Sequence, residues 1–326
     1  MKAFTRTAAI SVLAVLAAAT GLLLHAAPAA AGAPSLPTLV AYVRDGNVYV
    51  SKGATEKRLT TGGGHARPRW SPDGKKLAYL KAGQLWTMKA DGTGKRRLST
   101  RAAAGPSWSP DGKSIAFASL GCTGGPAVYR ISATVKAAKP KVLFPGECRG
   151  EPLPAAPATG SSGNVGTLSE RLRHDDAVAW SPDGTMIAFR GGACESIYDD
   201  CLSIGTIATA AERTVAAYGG GSLGSGFAVV PSWRFDGTRL SWTAYQVGET
   251  EAEDRPVHLV EYDTVTRAKR TVGADLDREL AYLDANRAAV TGNHKDGSWV
   301  LVVDLVTGAR TAFHPGSQPS VQPVRR

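Results

Sequence analysis

From Leu39 onward the chain is built of short apolar runs, none long enough for a helix, separated by turn residues at a recurring interval. Leu77-Ala78-Tyr79 and Gln84–Lys89 (QLWTMK) are two such runs, and each reads as a strand. Between the runs lie Pro-Asp-Gly and Asp-Gly turns. In Ser71-Pro72-Asp73-Gly74, Pro presets φ for the second turn position, Asp accepts local backbone hydrogen bonds and Gly takes the positive φ that a Cβ opposes. The pattern predicts many short antiparallel strands, and 37 Gly with 19 Pro in a chain of 326 residues point the same way.

The strands repeat as a unit. Arg69–Tyr79 (RWSPDGKKLAY), Ser107–Phe117 (SWSPDGKSIAF) and Ala179–Phe189 (AWSPDGTMIAF) are near copies, Ser232–Trp242 (SWRFDGTRLSW) is a worn fourth, and Ala281–Val290 (AYLDANRAAV) keeps only the pattern. Trp70, Trp108, Trp180 and Trp233 precede the turns, where a flat side chain fills the space between neighbouring sheets. A second hairpin follows each copy, with turns at Ala90–Gly94, Asp263–Thr266 and Asp304–Gly308. Each unit is thus a four-stranded antiparallel sheet, one blade of a propeller. Leu39–Thr61 matches Leu77–Thr100 but lacks the first strand, and Gln318-Pro319-Ser320-Val321 resembles the start of a first strand, Gly105-Pro106-Ser107-Trp108. The expected fold is an all-β, six-bladed β-propeller in which N- and C-terminal strands share one blade and close the ring.

The repeated WSPDGK followed by an Ala-aromatic strand resembles the WD40-like repeat of TolB-type propellers across Leu39–Arg326. The resemblance implies the fold. It says little of function, because such repeats serve both in binding proteins and as accessory propellers of some peptidases. The chain departs from TolB itself in that its leader runs almost directly into the first strand, so a TolB role in envelope complexes is not carried over.

The leader consists of Lys2 and Arg6, the uncharged apolar run Ala8–Leu24 and small residues through Ala31. It reads as a secretory signal peptide over 1–31, followed by a short linker over 32–38 and the propeller over 39–326. Cleavage after Ala31 gives a secreted, extracytoplasmic, monomeric protein with no stable membrane insertion; an uncleaved anchor is the rival reading. The formal net charge of +10 falls to about +8 without Lys2 and Arg6. Its basic residues are dispersed, with no aromatic platform beside Lys95-Arg96-Arg97, so nucleic acid is not an expected partner.

With strands lettered a to d from the axis outward, every Pro-Asp-Gly turn falls on one face. The four long elaborations fall on the other: Pro145–Asp175 and Gly219–Val229 as d-to-a loops, Ala193–Cys201 and Gln246–Arg255 as b-to-c loops. Extra length gathered on one face is where repeat scaffolds bind. The four cysteines lie on that face too. Three pairings are formally possible, and Cys122 with Cys148 and Cys194 with Cys201 is the expected one. With no CxxC pair or spaced His beside them, no metal or other cofactor is implied.

Candidate ligand-binding residues are His174, Asp175 and Asp176, just before strand a of the fourth blade, and the acidic run Glu249, Glu251, Glu253 and Asp254. The first group should approach the mouth of the central channel; its blander role is to cap strand ends. The second, with Asp199 and Asp200 nearby, lacks the spacing of a calcium loop and reads more simply as a solvated rim. Gly220–Gly224 matches G-x-S-x-G but lacks the strand-turn-helix setting that motif needs. Asp73, Asp111, Asp183 and Asp236 recur with the turn and belong to the architecture. No catalytic constellation is recognised. The expectation is a binding scaffold for a protein or cell-wall polymer, with a propeller glycan hydrolase or lyase using channel carboxylates as the alternative.

Overall fold

The computed structural model describes residues 33–122, 126–150, 176–192, 199–219, 226–246 and 253–323. The signal segment, His174, Asp175, Cys194, Gly220–Gly224, Glu249 and Glu251 lie outside them. Six four-stranded antiparallel sheets form the blades. Blade 1 holds β1 (Val40–Arg44), β2 (Asn47–Ser51) and β3 (Glu56–Arg58), and takes its inner strand from the far end of the chain, β24 (Ser317–Val321). Blade 2 is β4 (His65–Trp70), β5 (Lys76–Lys81), β6 (Gln84–Lys89) and β7 (Arg96–Ala102). Blade 3 is β8 (Ala104–Trp108), β9 (Ser114–Leu120), β10 (Pro126–Ser132) and β11 (Lys141–Phe144). Blade 4 is β12 (Ala179–Trp180), β13 (Met186–Arg190), β14 (Asp199–Thr206) and β15 (Glu212–Gly219). Blade 5 is β16 (Gly226–Trp233), β17 (Arg239–Gln246), β18 (Arg255–Asp263) and β19 (Lys269–Val272). Blade 6 is β20 (Arg278–Tyr282), β21 (Arg287–His294), β22 (Gly297–Asp304) and β23 (Arg310–Pro315).

The inner strands neighbour one another in the cyclic order β24, β4, β8, β12, β16, β20 and back to β24, which closes the ring. The composite blade is the one the sequence predicts. Val40 pairs with Val321 and Ala41 with Ser320, and Gln322 N–H donates to Leu39 O at 2.8 Å. One expectation is corrected: Gly219–Val229 is not a loop throughout, because β15 runs to Gly219 and β16 begins at Gly226. Phe227 to Val230 are buried as an apolar continuation of the inner strand, which outweighs the Gly-rich look of the segment before them.

Apolar side chains gather between blades rather than at one centre. Val48, Val50, Leu77 and Tyr79 pack between blades 1 and 2; Leu80, Leu85, Phe117 and Tyr129 between 2 and 3; Val40, Tyr42, Val300 and Phe313 between 6 and 1. Leu36, ahead of the first strand, is buried in that last core.

The repeated tryptophans tie the layers together. Trp70 Nε1–H donates to Ser320 O at 3.1 Å, Trp108 to Arg69 O at 3.0 Å and Trp233 to Ala179 O at 3.0 Å, each reaching the inner strand of the preceding blade. Trp180 instead donates within its own turn, to Gly184 O at 3.1 Å. The turns have the chemistry the sequence predicts. Ser71 Oγ donates to Asp73 Oδ1 at 2.7 Å and accepts Lys76 N–H at 2.9 Å, with Gly74 at φ 66°; Ser109 and Ser181 do the same for Asp111 and Asp183. The serine hydroxyls are the chief reason the Asp73 and Asp111 carboxyls sit below their ordinary pKa.

Candidate functional site

Two regions compete for the functional site: the axis, and the face opposite the Ser-Pro-Asp-Gly turns. At the axis each inner strand meets its neighbour through a bulge, seen as register shifts at Ala66/Arg69, Ala104/Ser107, Val229/Ser232 and Arg278/Ala281. The residue three before Trp, or before the residue in its place, sits in the bulge. In blades 2, 5, 6 and 1 it is Arg67, Val230, Glu279 and Gln318, with φ of 52°, 54°, 60° and 59°, a region that side chains rarely occupy. In blade 3 it is Gly105, where a Cβ would lie 2.3 Å from the Ala177 Cβ of blade 4. Backbone strain repeated at one level of the ring is a reason to look for function there.

What occupies that level is an ion pair. Arg67 Nη1 lies 2.7 Å from Glu279 Oε1, with side chains 1% and 7% exposed. Gln318, between them in sequence of blades, bridges both: its Oε1 accepts Arg67 N–H at 2.7 Å and its N–H donates to Glu279 Oε2 at 2.8 Å. The Thr291 hydroxyl donates to the same oxygen at 2.5 Å, and Glu279 N–H donates to Thr243 Oγ1 at 2.9 Å. Burial opposes the charge on Glu279, but Arg67, Thr291 and Gln318 together outweigh it and hold the carboxyl below its ordinary pKa. Two residues further along β4, Arg69 contacts only the carbonyls of Pro68 and Pro319, at 2.9 and 3.4 Å. Loss of hydration, with repulsion from Arg67, pushes its pKa down to about 10, so it remains charged at neutral pH. The sequence carried a signal for this layer: the residue before the proline in each X-Pro-X-Trp copy is charged at Arg67, and its counterpart in the fifth copy is Glu279.

Asp176 lies at this end of blade 4, but its carboxylate, 2% exposed, is held by Arg190 Nη1 at 2.8 Å. Glu253 and Asp254 stand just before β18, Glu253 exposed and Asp254 partly so. Asp176 is thus not brought together with the two described members of the acidic run.

The opposite face is unequal around its circumference. Connections 121–125, 145–178, 191–198, 220–225 and 247–254 join strand ends that open on this face, and all belong to blades 3, 4 and 5. Blades 1, 2 and 6 turn there on two residues each, 45–46, 82–83 and 295–296. Beside those hairpins a cation covers an aromatic ring: Arg44 over Tyr49 at 4.3 Å, Lys81 over Trp86 at 5.3 Å and Lys295 over Trp299 at 5.3 Å. The high sector is pinned by the expected disulfide Cys122–Cys148, and Cys201 is disulfide-bonded as well. Among the described residues no group of three or more His, Cys, Asp or Glu side chains is placed to hold a metal ion, and no helix is long and apolar enough to cross a membrane.

This is the architecture of a TolB-like six-bladed propeller. The fold resembles TolB from Acinetobacter baumannii with a TM-score of 0.63 and 15% identity, over 89% of this chain and 68% of that one. A protein assigned as TolB from Agrobacterium tumefaciens matches at 0.57 and 15% identity, over 86% and 90%. A chain of a nidogen/laminin complex matches at 0.56 and 10%, over 87% and 98%. At these identities the likeness is one of fold. No family model matches the sequence, and no curated protein matches it.

Proposed function

We propose that this chain is an extracytoplasmic, monomeric binding scaffold without catalytic activity of its own, and that it holds a protein or envelope polymer on its loop-bearing face. The observation that carries the reading is the asymmetry of that face. Every long connection rises from three adjacent blades, while the other three offer a low floor of aromatic rings and cations. Such a step gives a partner both a seat and a wall. Support for an oxidising compartment comes from the Cys122–Cys148 disulfide and from the leader over 1–31. The resemblance to TolB and to a chain of a nidogen/laminin complex supports a protein partner by analogy.

The test uses the oxidised chain 32–326 immobilised against envelope fractions of the producing cell. Two variants accompany it: Glu249, Glu251, Glu253 and Asp254 all to Ala on the loop face, and Lys75 with Lys113 to Ala on the turn face. A component retained by the native chain and the turn-face variant but lost from the loop-face variant supports the proposal. Loss from the turn-face variant alone places the site on the wrong face here, and glycan turnover abolished by Asp176→Asn replaces the scaffold with an enzyme.

A further inference from the structure

Away from the axis, a groove of about 500 Å³ runs along the outer edge of blade 3 where it meets blade 4. Its floor is Val142, Leu143 and Ile207, and its walls carry Arg130, Lys141 and Arg149. Among the described residues, no acidic side chain lines it. Arg130 in β10 and Lys141 in β11 are direct cross-strand partners. Like charges so placed repel and weaken the pairing, and neither side chain has an ion-pair partner among the described residues to offset this.

Arg149 is held differently. Its Nε–H donates to Leu143 O at 2.8 Å, its Nη2 donates to Ile207 O at 2.9 Å, and the guanidinium stands 5.7 Å over the Phe144 ring. Both acceptors are neutral carbonyls, so the charge is fixed in direction but not neutralised, and the rest of the five-donor fork stays open. A purely structural role, stitching residues 145–150 to blade 4, accounts for Arg149. It does not account for the opposed pair beside it.

We infer that this groove binds a phosphate ester. Three cations with no acid among them favour a group that carries more than one negative charge over a single carboxylate, and a guanidinium of fixed orientation suits paired phosphate oxygens. The apolar floor seats the carbon body of the ester. A soluble phosphomonoester and the phosphodiester of an envelope polymer share this chemistry. The site is remote from the loop-bearing sector, and the inference stands or falls apart from the scaffold reading.

Isothermal titration of the oxidised chain 32–326 with sn-glycerol 3-phosphate and with glycerophosphoglycerol, against acetate and glycerol, tests it. Two double variants serve: Arg130→Gln with Lys141→Gln in the groove, and Lys75→Gln with Lys113→Gln on the turn face. None of the four makes an ion pair among the described residues, so melting temperatures should match the native chain. Saturable one-site binding of either ester, weakened at least tenfold in the groove variant and unchanged in the turn-face variant, supports the site. The monoester alone indicates a soluble ligand and the diester a polymer. Absence of saturable binding, equal weakening in both variants, or acetate binding as well as the esters overturns it.

Discussion

Replacing Glu279 by Gln should reveal how much of the ring's stability passes through the axial ion pair. The substitution keeps a carbonyl oxygen where Oε2 accepts from Gln318 and Thr291, but it takes the negative charge from a position 2.7 Å from Arg67, which is 1% exposed and stays charged. Breaking a buried pair by removing one partner costs about 3–5 kcal/mol. Adding Arg67→Met to Glu279→Gln then removes the remaining charge, and replacing both charges of a buried pair ranges from neutral to mildly stabilising. The new amide N–H₂, buried without an acceptor, costs about 1–3 kcal/mol of that recovery. Urea unfolding of the oxidised chain, with linear extrapolation at matched slope, gives the three free energies. The expected pattern is a large loss for Glu279→Gln and recovery of about half of it in the double variant. A loss of less than about 1 kcal/mol for the single variant, or simple additivity in the double, would refute the reasoning.

Four further outcomes follow from the same geometry. The folded-state pKa of Glu279 lies below its ordinary value, so its contribution is complete above about 4.5 and is lost as pH falls through the lower folded value; acid unfolding of Glu279→Gln should therefore show a flatter limb below pH ~4.5. Gly105→Ala forces a Cβ to 2.3 Å from that of Ala177 and should cost about 1–3 kcal/mol in the same assay, with Ala177→Gly restoring most of it. Trp108→Phe strips the inter-blade bond to Arg69 O and should cost about 1–3 kcal/mol beyond its lost apolar area. Cys122→Ser with Cys148→Ser opens a loop with a sequence separation of 26 and should lower stability by about 3 kcal/mol, measured with the bond of Cys201 kept intact.

The blades were legible in the sequence because each turn states its own geometry. Ser71, Asp73 and Gly74 close a hairpin by contacts within five residues, so three near copies suffice to set the repeat. The shared blade was legible because Gln318–Val321 kept the Pro-Ser of an inner strand. The axial pair was not, since Arg67 and Glu279 meet only when six strands are arranged about one axis, and a single charged residue in a strand gives no sign of its partner. Nor was the groove, which needs the register that sets Arg130 against Lys141 and the return of Arg149 to Ile207. Asp176 was placed near the right end of blade 4, but its pairing with Arg190 depends on a side chain fourteen residues on.

The shared first blade also has a consequence in time. A chain made from its N-terminus completes β1, β2 and β3 early, yet the inner edge of β1 has no partner until Ser317–Val321 emerges. For nearly the whole of synthesis the growing protein therefore carries an open strand edge flanked by Val40, Ala41 and Val43, a surface that can pair with a neighbour's. The last few residues act as the chain's own chaperone, and the cell must shield that edge, or outrun its misuse, until the ring is sealed.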